Sequence, residues 1–433
     1  MEQRRKNLTQ LFIPICLETL LYMLSGMVDT LMLSSVNDQA VGAVGTANTY
    51  IGIFIIMFSV ISSGMVAVMT QNIGAGRPGV AYQARQLGLT FNAVLGIIVS
   101  LILTFGAGAI LAGVGVADAL MQPARTYLQI VGGFCILNAL IPICSSYLRA
   151  FGFSKEPLYA SIIGNVINFC LNAFFLFVLH KGVAGVATAT VISRIINLVI
   201  VVLLGAVLVK AKQHPERESN RAVMGQIIRN GLPSAWETAI YNVSMTLVIR
   251  FLNQMDAQGL NVTARSYTMQ ITNFSYCVGA ALAQANAIMT GWHIGAKEYD
   301  ACDRGTKKAA VIGVIVAVIL ETVFTLCSGW IMQLFSKDPQ MVSLVGKLLA
   351  IDIVLEIGRV TNLVYGQALK TSGDAVFPVV MGVCFMILCS VGGTYLFGIR
   401  LGLLAVGAYI GMAGDECVRA VGMVLRWKSG KWK

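Results

Sequence analysis

Eight carboxylates stand inside long apolar stretches of this chain: Glu18, Asp29, Glu237, Glu321, Asp352, Glu356, Asp415 and Glu416. Only four basic residues, Arg194, Arg250, Arg359 and Arg419, share those stretches. A charge at hydrocarbon depth costs at least ~2.5–3.5 kcal/mol, so each acid needs a counter-charge, a proton or water. Asp352, Glu356 and Arg359 fall on one stripe of a helix. Arg359 can pair with Glu356 one turn away, leaving Asp352 freer to bind a cation. Asp415 and Arg419 have i, i+4 spacing, which predicts an internal ion pair. Asp29 has no basic residue within a turn on its own helix. That favours a group that titrates or binds a cation over one locked in a salt bridge. The plainer alternative for Asp29 is a carboxylate capping a broken helix. Glu321 has no obvious partner.

Composition says what must carry these groups. The 433 residues are 57% hydrophobic and 12% charged, with mean hydropathy +0.76. Soluble domains are about 25% charged, so a soluble enzyme, a secreted module and a nucleic-acid-binding domain are excluded. The apolar content suits about twelve spans of ~20 residues. Ten cysteines form no Cys-x-x-Cys pair and lie mostly in apolar runs, which predicts small buried hydrophobes. The histidines, His180, His214 and His293, stand singly, so metal catalysis has no support. No P-loop is present, and any work must draw on a gradient or a partner. The first apolar run contains Asp29 and exceeds the ~7–15 residues of a signal-peptide core, which predicts a retained helix.

Apolar runs and loop punctuation predict spans at 8–34, 46–72, 87–113, 126–148, 158–180, 183–209, 228–252, 262–292, 309–333, 341–369, 377–397 and 401–425. All are far longer than a ~10-residue barrel strand, so helices are expected. With the N-terminus inside, 21 of the 31 Lys and Arg residues lie on the cytoplasmic side, among them Arg4, Arg5, Arg149, Lys212 and Lys370. Six lie outside, including Arg265 and Lys337. This asymmetry predicts cytoplasmic termini, and it accounts for the net charge of +11 as a topology signal. Asn261-Val262-Thr263 reads as a glycosylation sequon in an external loop, of consequence only in a eukaryote.

The chain also repeats itself. Pro14-x-x-x-Glu18-Thr19 returns as Pro233-x-x-x-Glu237-Thr238, offset by 219. Ile73-Gly74-Ala75 returns as Ile294-Gly295-Ala296, and Leu148, Gly152 and Pro157 return as Leu369, Gly373 and Pro378, both offset by 221. The predicted organisation is an all-α integral membrane protein of two six-helix bundles, 1–209 and 228–433. A cytoplasmic linker, 210–227, joins them, and a short basic tail follows the last span. Six spans per repeat place the pseudo-twofold axis along the membrane normal, an arrangement of transporters. Glu18 and Glu237 are repeat equivalents. They are expected either at matched depth facing a cleft or hydrogen-bonded to a Ser or Tyr inside each bundle.

Several of these segments resemble the multidrug and toxic compound extrusion (MATE) family over essentially the whole chain. They are Ile13-Pro14 with Met27-Val28-Asp29-Thr30, Thr70-Gln71-Asn72-Ile73-Gly74-Ala75-Gly76, Leu148-Arg149-Ala150-Phe151-Gly152, and Gly182 through Thr190. The resemblance implies a V-shaped fold and export of organic, often cationic, compounds against an inward H⁺ or Na⁺ gradient. It places an amino-terminal cation site at Asp29, with Asn168, Asn172 and Thr190 completing an oxygen-lined pocket. Asn172 stands where some members carry a second Asp. A substrate or second cation site is expected at Glu18, Glu237, Tyr241, Asp352 and Glu356, with family members commonly using acids in spans seven and ten. Tyr241 occupies the position of some members' span-seven acid.

The expected function is therefore a secondary antiporter in the cytoplasmic (plasma or cell inner) membrane, exporting small organic cations by alternating access. Its expected partners are those cations and membrane lipids, with no nucleic acid. It is expected to be a monomer, to need no cofactor beyond the coupling H⁺ or Na⁺, and not to be an enzyme. The alternative is a lipid-linked-precursor flippase of the same superfamily. The excess of intramembrane acids over arginines disfavours that anionic cargo.

Overall fold

The computed structural model describes residues 6–35, 38–113, 116, 118–210, 215–255, 259–333, 336 and 338–433. Arg4, Arg5, Lys212, His214 and Lys337 lie outside the described residues. In hydrocarbon every backbone N–H and C=O must be satisfied within its own segment. Accordingly the described residues form helices joined by short turns, with no strand among them. The first seven are α1 (Leu8–Ser34), α2 (Asp38–Gly74), α3 (Pro78–Gly113), α4 (Asp118–Gly133), α5 (Ile136–Ala150), α6 (Lys155–Ala173) and α7 (Gly182–Leu208). A 43° bend separates α4 from α5, and α6 ends in a π-helical turn, Phe174–Val178. There follow α8 (Asn220–Met255), α9 (Leu260–Gly295), α10 (Tyr299–Leu326), the short α11 (Ser328–Met332), α12 (Pro339–Ser372), α13 (Val376–Phe385) and α14 (Leu404–Lys428). Two π-helical turns, Met386–Val391 and Thr394–Arg400, extend α13. With each bent or interrupted run counted once, these are twelve spans.

Seven of the described helical runs are long and apolar enough to cross a membrane, and the α4–α5 pair makes an eighth. The other four long helices are α8, α9, α12 and α14. They are less apolar: α8, α12 and α14 carry Glu237, the Asp352–Arg359 stripe and the Asp415–Arg419 group, and α9 carries Arg265 together with uncharged polar residues such as Asn273, Ser275, Gln284 and Asn286. Intramembrane polarity is thus concentrated in the second half of the chain.

Contacts divide the chain into two compact units, 1–232 and 233–433. The division falls inside α8, and residues 220–227 of the predicted linker are already helical. In the first unit, small side chains such as Ala43, Ala47 and Ala107 let α2, α3 and α4 approach closely around Leu103 and Leu128. Asn92 of α3 is fully buried and donates to the Phe58 and Ala139 carbonyls at 3.3 and 3.1 Å, tying α2 and α5 to it. The incoming end of α8 is strapped on by Gln83, which bonds both Glu218 and Asn220, and by an Arg77–Glu218 ion pair at 2.6 Å.

One crossing in this unit depends on glycine. A Cβ on Gly64 would lie 1.9 Å from the Ile227 carbonyl oxygen, and one on Gly231 would lie 1.8 Å from that of Val60. Backbone atoms cannot rotate aside as a flexible side chain can. Gly64→Ala and Gly231→Ala are each expected to destabilise by ~1–3 kcal/mol through overpacking. The neighbouring Gly225→Ala, with open space around it, should not. Thermal unfolding of the purified protein measures the difference, and equal midpoints for all three variants would refute the argument.

In the second unit α12 is central, packed on α9, α10 and α14, with Val345, Leu348, Leu349 and Ala405 in its core. Here two readings of the sequence are corrected. Asn261 is only 2% exposed, and its Oδ1 accepts from the Ala405 amide at 3.1 Å. It anchors α14 and does not sit in an accessible external loop. Arg265 is likewise buried inside α9, not a loop charge. The cause is Gly259, whose φ of +71° starts α9 immediately and draws both residues into the helix.

The cysteine expectation holds in part. Cys135, Cys144, Cys277 and Cys302 are buried, but Cys170, Cys327 and Cys384 are exposed; all ten are free thiols. The repeat is visible in the backbone. Gly152 and Gly373, 221 apart, end α5 and α12 with φ of +84° and +101°. Gly76 and Lys297, also 221 apart, do the same for α2 and α9 at +74° and +60°.

Candidate functional site

In the first unit the constellation is built on α1 and α6. Asn168 and Asn172 occupy one face of α6 at i, i+4. Asn172 Nδ2 donates to Asp29 Oδ1 at 2.6 Å and lies 3.2 Å from Asn168 Oδ1. Asn172 is fully buried, and its Oδ1 has no hydrogen-bond partner. An oxygen acceptor is therefore held open beside a half-buried carboxylate, a donor set suited to a proton or a hard cation. Thr190 is buried on α7, and no hydrogen bond links it to Asp29, Asn168 or Asn172 among the described residues. Its hydroxyl donates to the Val186 carbonyl of its own helix at 2.9 Å. Two residues that the sequence did not assign to this site stand nearby. Arg194 of α7 lies within electrostatic reach of Asp29, and so does the buried Tyr127 of α4, which is itself paired with Asn48.

Glu18 and Glu237 are each ion-paired inside their own unit. Arg149 reaches Glu18 at 2.5 Å, with Ser161 donating at 3.4 Å to the other oxygen. Lys370 reaches Glu237 at 2.5 Å. Arg149 and Lys370 stand 221 residues apart, so the two ion pairs are repeat equivalents, and these bases are counter-ions more than topology signals. The repeat offset was the signal that could have found them.

The second unit encloses a cavity of about 420 Å³ walled by α8, α9, α12, α13 and α14. Glu237, Tyr241 and Asp352 are on its wall, as are Arg265, Arg359, Lys370, Glu416 and Arg419. Four methionines (Met245, Met269, Met386, Met412) and Tyr241, Tyr276 and Tyr409 supply adaptable apolar surface. Glu356 is not on the wall; it lies fully buried behind it, paired with Arg359. Arg359 also approaches Glu416 at 3.7 Å. Arg419 binds Asp415 at 2.8 and 2.9 Å and Glu416 at 2.8 Å, so the predicted internal pair is a three-residue cluster. Two wall charges stay incompletely satisfied. Asp352 Oδ2 has no hydrogen-bond partner, and Arg265 Nε has none while its Nη2 meets only the Met245 sulfur, at 3.7 Å.

A MatE family model matches residues 14–174 and again 233–396, one copy in each repeat. The chain is 33% identical over 425 residues to the uncharacterized transporter YisQ of Bacillus subtilis, covering 97% of this chain and 93% of that one. It is 23% identical over 443 residues to the probable multidrug resistance protein NorM of Thermotoga maritima, with 99% and 93% coverage. The solved outward-facing structure of a multidrug resistance MATE family transporter superposes with TM-score 0.88 at 18% identity, over 98% of this chain and 96% of that one. Two matched copies of the family's domain, each with a partly buried Glu–base pair, and relatives matched along nearly their whole length lead to one conclusion: the chain belongs to the MATE family of multi-pass membrane transporters, which are not enzymes.

Proposed function

We propose that this protein is a secondary antiporter that exports small organic cations across the cytoplasmic membrane by alternating access, in exchange for H⁺ or Na⁺. Both termini are cytoplasmic in this reading, and the monomer is the working unit. The observation that carries it is Asp29 held by Asn172 with an open buried oxygen alongside, a site for a coupling cation apart from the cargo cavity of the second unit. In that cavity, methionine and tyrosine surface surrounds Asp352, whose free oxygen suits a cationic headgroup.

Arg265, buried on the same wall without a carboxylate partner among the described residues, favours a second reading in which the cargo also bears an anionic group. Purified protein in liposomes, with H⁺ and Na⁺ gradients imposed separately, tests both. Uptake of cationic compounds driven by either ion is the expected result, and transport of none of a cationic, neutral and anionic panel under either gradient would refute it. Transport confined to anionic compounds would overturn the cation reading alone.

A further inference from the structure

Glu321, on α10, is the intramembrane acid that neither the ion pairs, the cavity wall nor the Asp29 site accounts for among the described residues. It is 0% exposed, and neither carboxyl oxygen has a hydrogen-bond partner. The charged groups facing it are Asp352, Glu356 and Arg359 of α12, and Ser275 of α9 stands beside it. The short α11, also packed on α10, carries no titratable residue. Arg359, the one base of that group, is already engaged by Glu356 and Glu416. An ionised Glu321 would therefore be a buried anion facing two further acids, with no free base and only the Ser275 hydroxyl beside it as a donor. Such a charge is removed most cheaply by a proton. A metal ion fits less well, because among the described residues no three His, Cys, Asp or Glu side chains converge as ligands.

We propose that Glu321, in the second unit, is a further proton-binding site besides Asp29, one that holds a proton as a neutral carboxylic acid and exchanges it with the cavity of that unit. Asp352 gives the route: it is an electrostatic neighbour of Glu321 and also a wall residue with an unpartnered oxygen. The step is a simple transfer in which a proton from cavity water joins a Glu321 oxygen and later returns. This deepens the antiport reading, since a displaced proton can leave as cargo enters. Its test needs neither gradient nor cargo, so it can fail while that reading stands.

The experiment is infrared difference spectroscopy of the full chain in lipid nanodiscs at neutral pH. Wild type should show the carbonyl-stretch band of a protonated carboxyl that shifts on transfer to D₂O and disappears reversibly as pH is raised. Glu321→Gln, which keeps the side-chain shape without the acid, should lack that band while eluting as a single species. Glu321→Asp should restore a band at an altered position, and it stands in should the Gln variant not fold. A band unchanged by both substitutions would overturn the proposal, as would one insensitive to D₂O. Loss of the band on replacing choline chloride with sodium chloride at constant pH would also overturn it, in favour of a metal-ion site.

Discussion

Asp29→Asn is expected to lower gradient-driven export in proteoliposomes by on the order of tenfold or more, because an amide can neither take up a proton nor neutralise a cation at hydrocarbon depth. The substitution is close to isosteric. Its carbonyl oxygen can still accept from Asn172 Nδ2, the 2.6 Å bond that positions Asp29 now. Folding should be preserved, with unchanged elution and thermal midpoint, and binding of cargo in the second unit should survive. Asp29→Glu keeps the charge and should retain part of the activity. Unchanged export by Asp29→Asn would remove Asp29 from the coupling role and leave it as a structural carboxylate on α1.

The largest loss of stability is expected from Arg359→Met. Breaking a buried ion pair by removing one partner costs ~3–5 kcal/mol, since the other charge is left without compensation. Glu416 has a second base in Arg419 at 2.8 Å, so the stranded charge is Glu356, which is fully buried. Arg359→Met should therefore lower the thermal midpoint sharply. The double variant Arg359→Met/Glu356→Gln should regain most of that loss, because it removes both charges together. A single variant as stable as wild type, or a double variant no better than the single, would show that Glu356 does not depend on Arg359.

Local patterns were legible in the sequence because they obey short periods. The twelve apolar runs became helices, since hydrocarbon leaves no backbone group unsatisfied and the runs are too long for barrel strands. Acid–base pairs three or four residues apart, Glu356–Arg359 and Asp415–Arg419, formed as helical spacing requires. The twofold repeat, read from matches offset by 219 and 221, reappears in paired positive-φ helix ends and in two matched copies of the family domain. The family resemblance implied that Asp29 and Asn172 share a site, and the structure holds them in contact.

Packing decided the rest. Arg149 and Glu18 are 131 residues apart, and Lys370 and Glu237 are 133 apart. No period along one helix reveals which neighbour its face will meet. Counting basic residues by loop assigned Arg149, Lys370 and Arg265 to the aqueous edges, because composition cannot tell an exposed helix end from a buried one. Thr190 donates its hydroxyl proton to its own helix, a rotamer choice invisible to spacing. Asn261 looked like a loop acceptor until Gly259 turned the chain straight into α9. Glu321, without a partner in the linear pattern, has no ion-pair partner among the described residues either, and only its enclosure by α9 and α12 shows why that matters. Chain chemistry specified the helices and their local charge pairs; which buried charges face one another depends on contacts between helices distant in sequence, and these exist only once the bundle has packed.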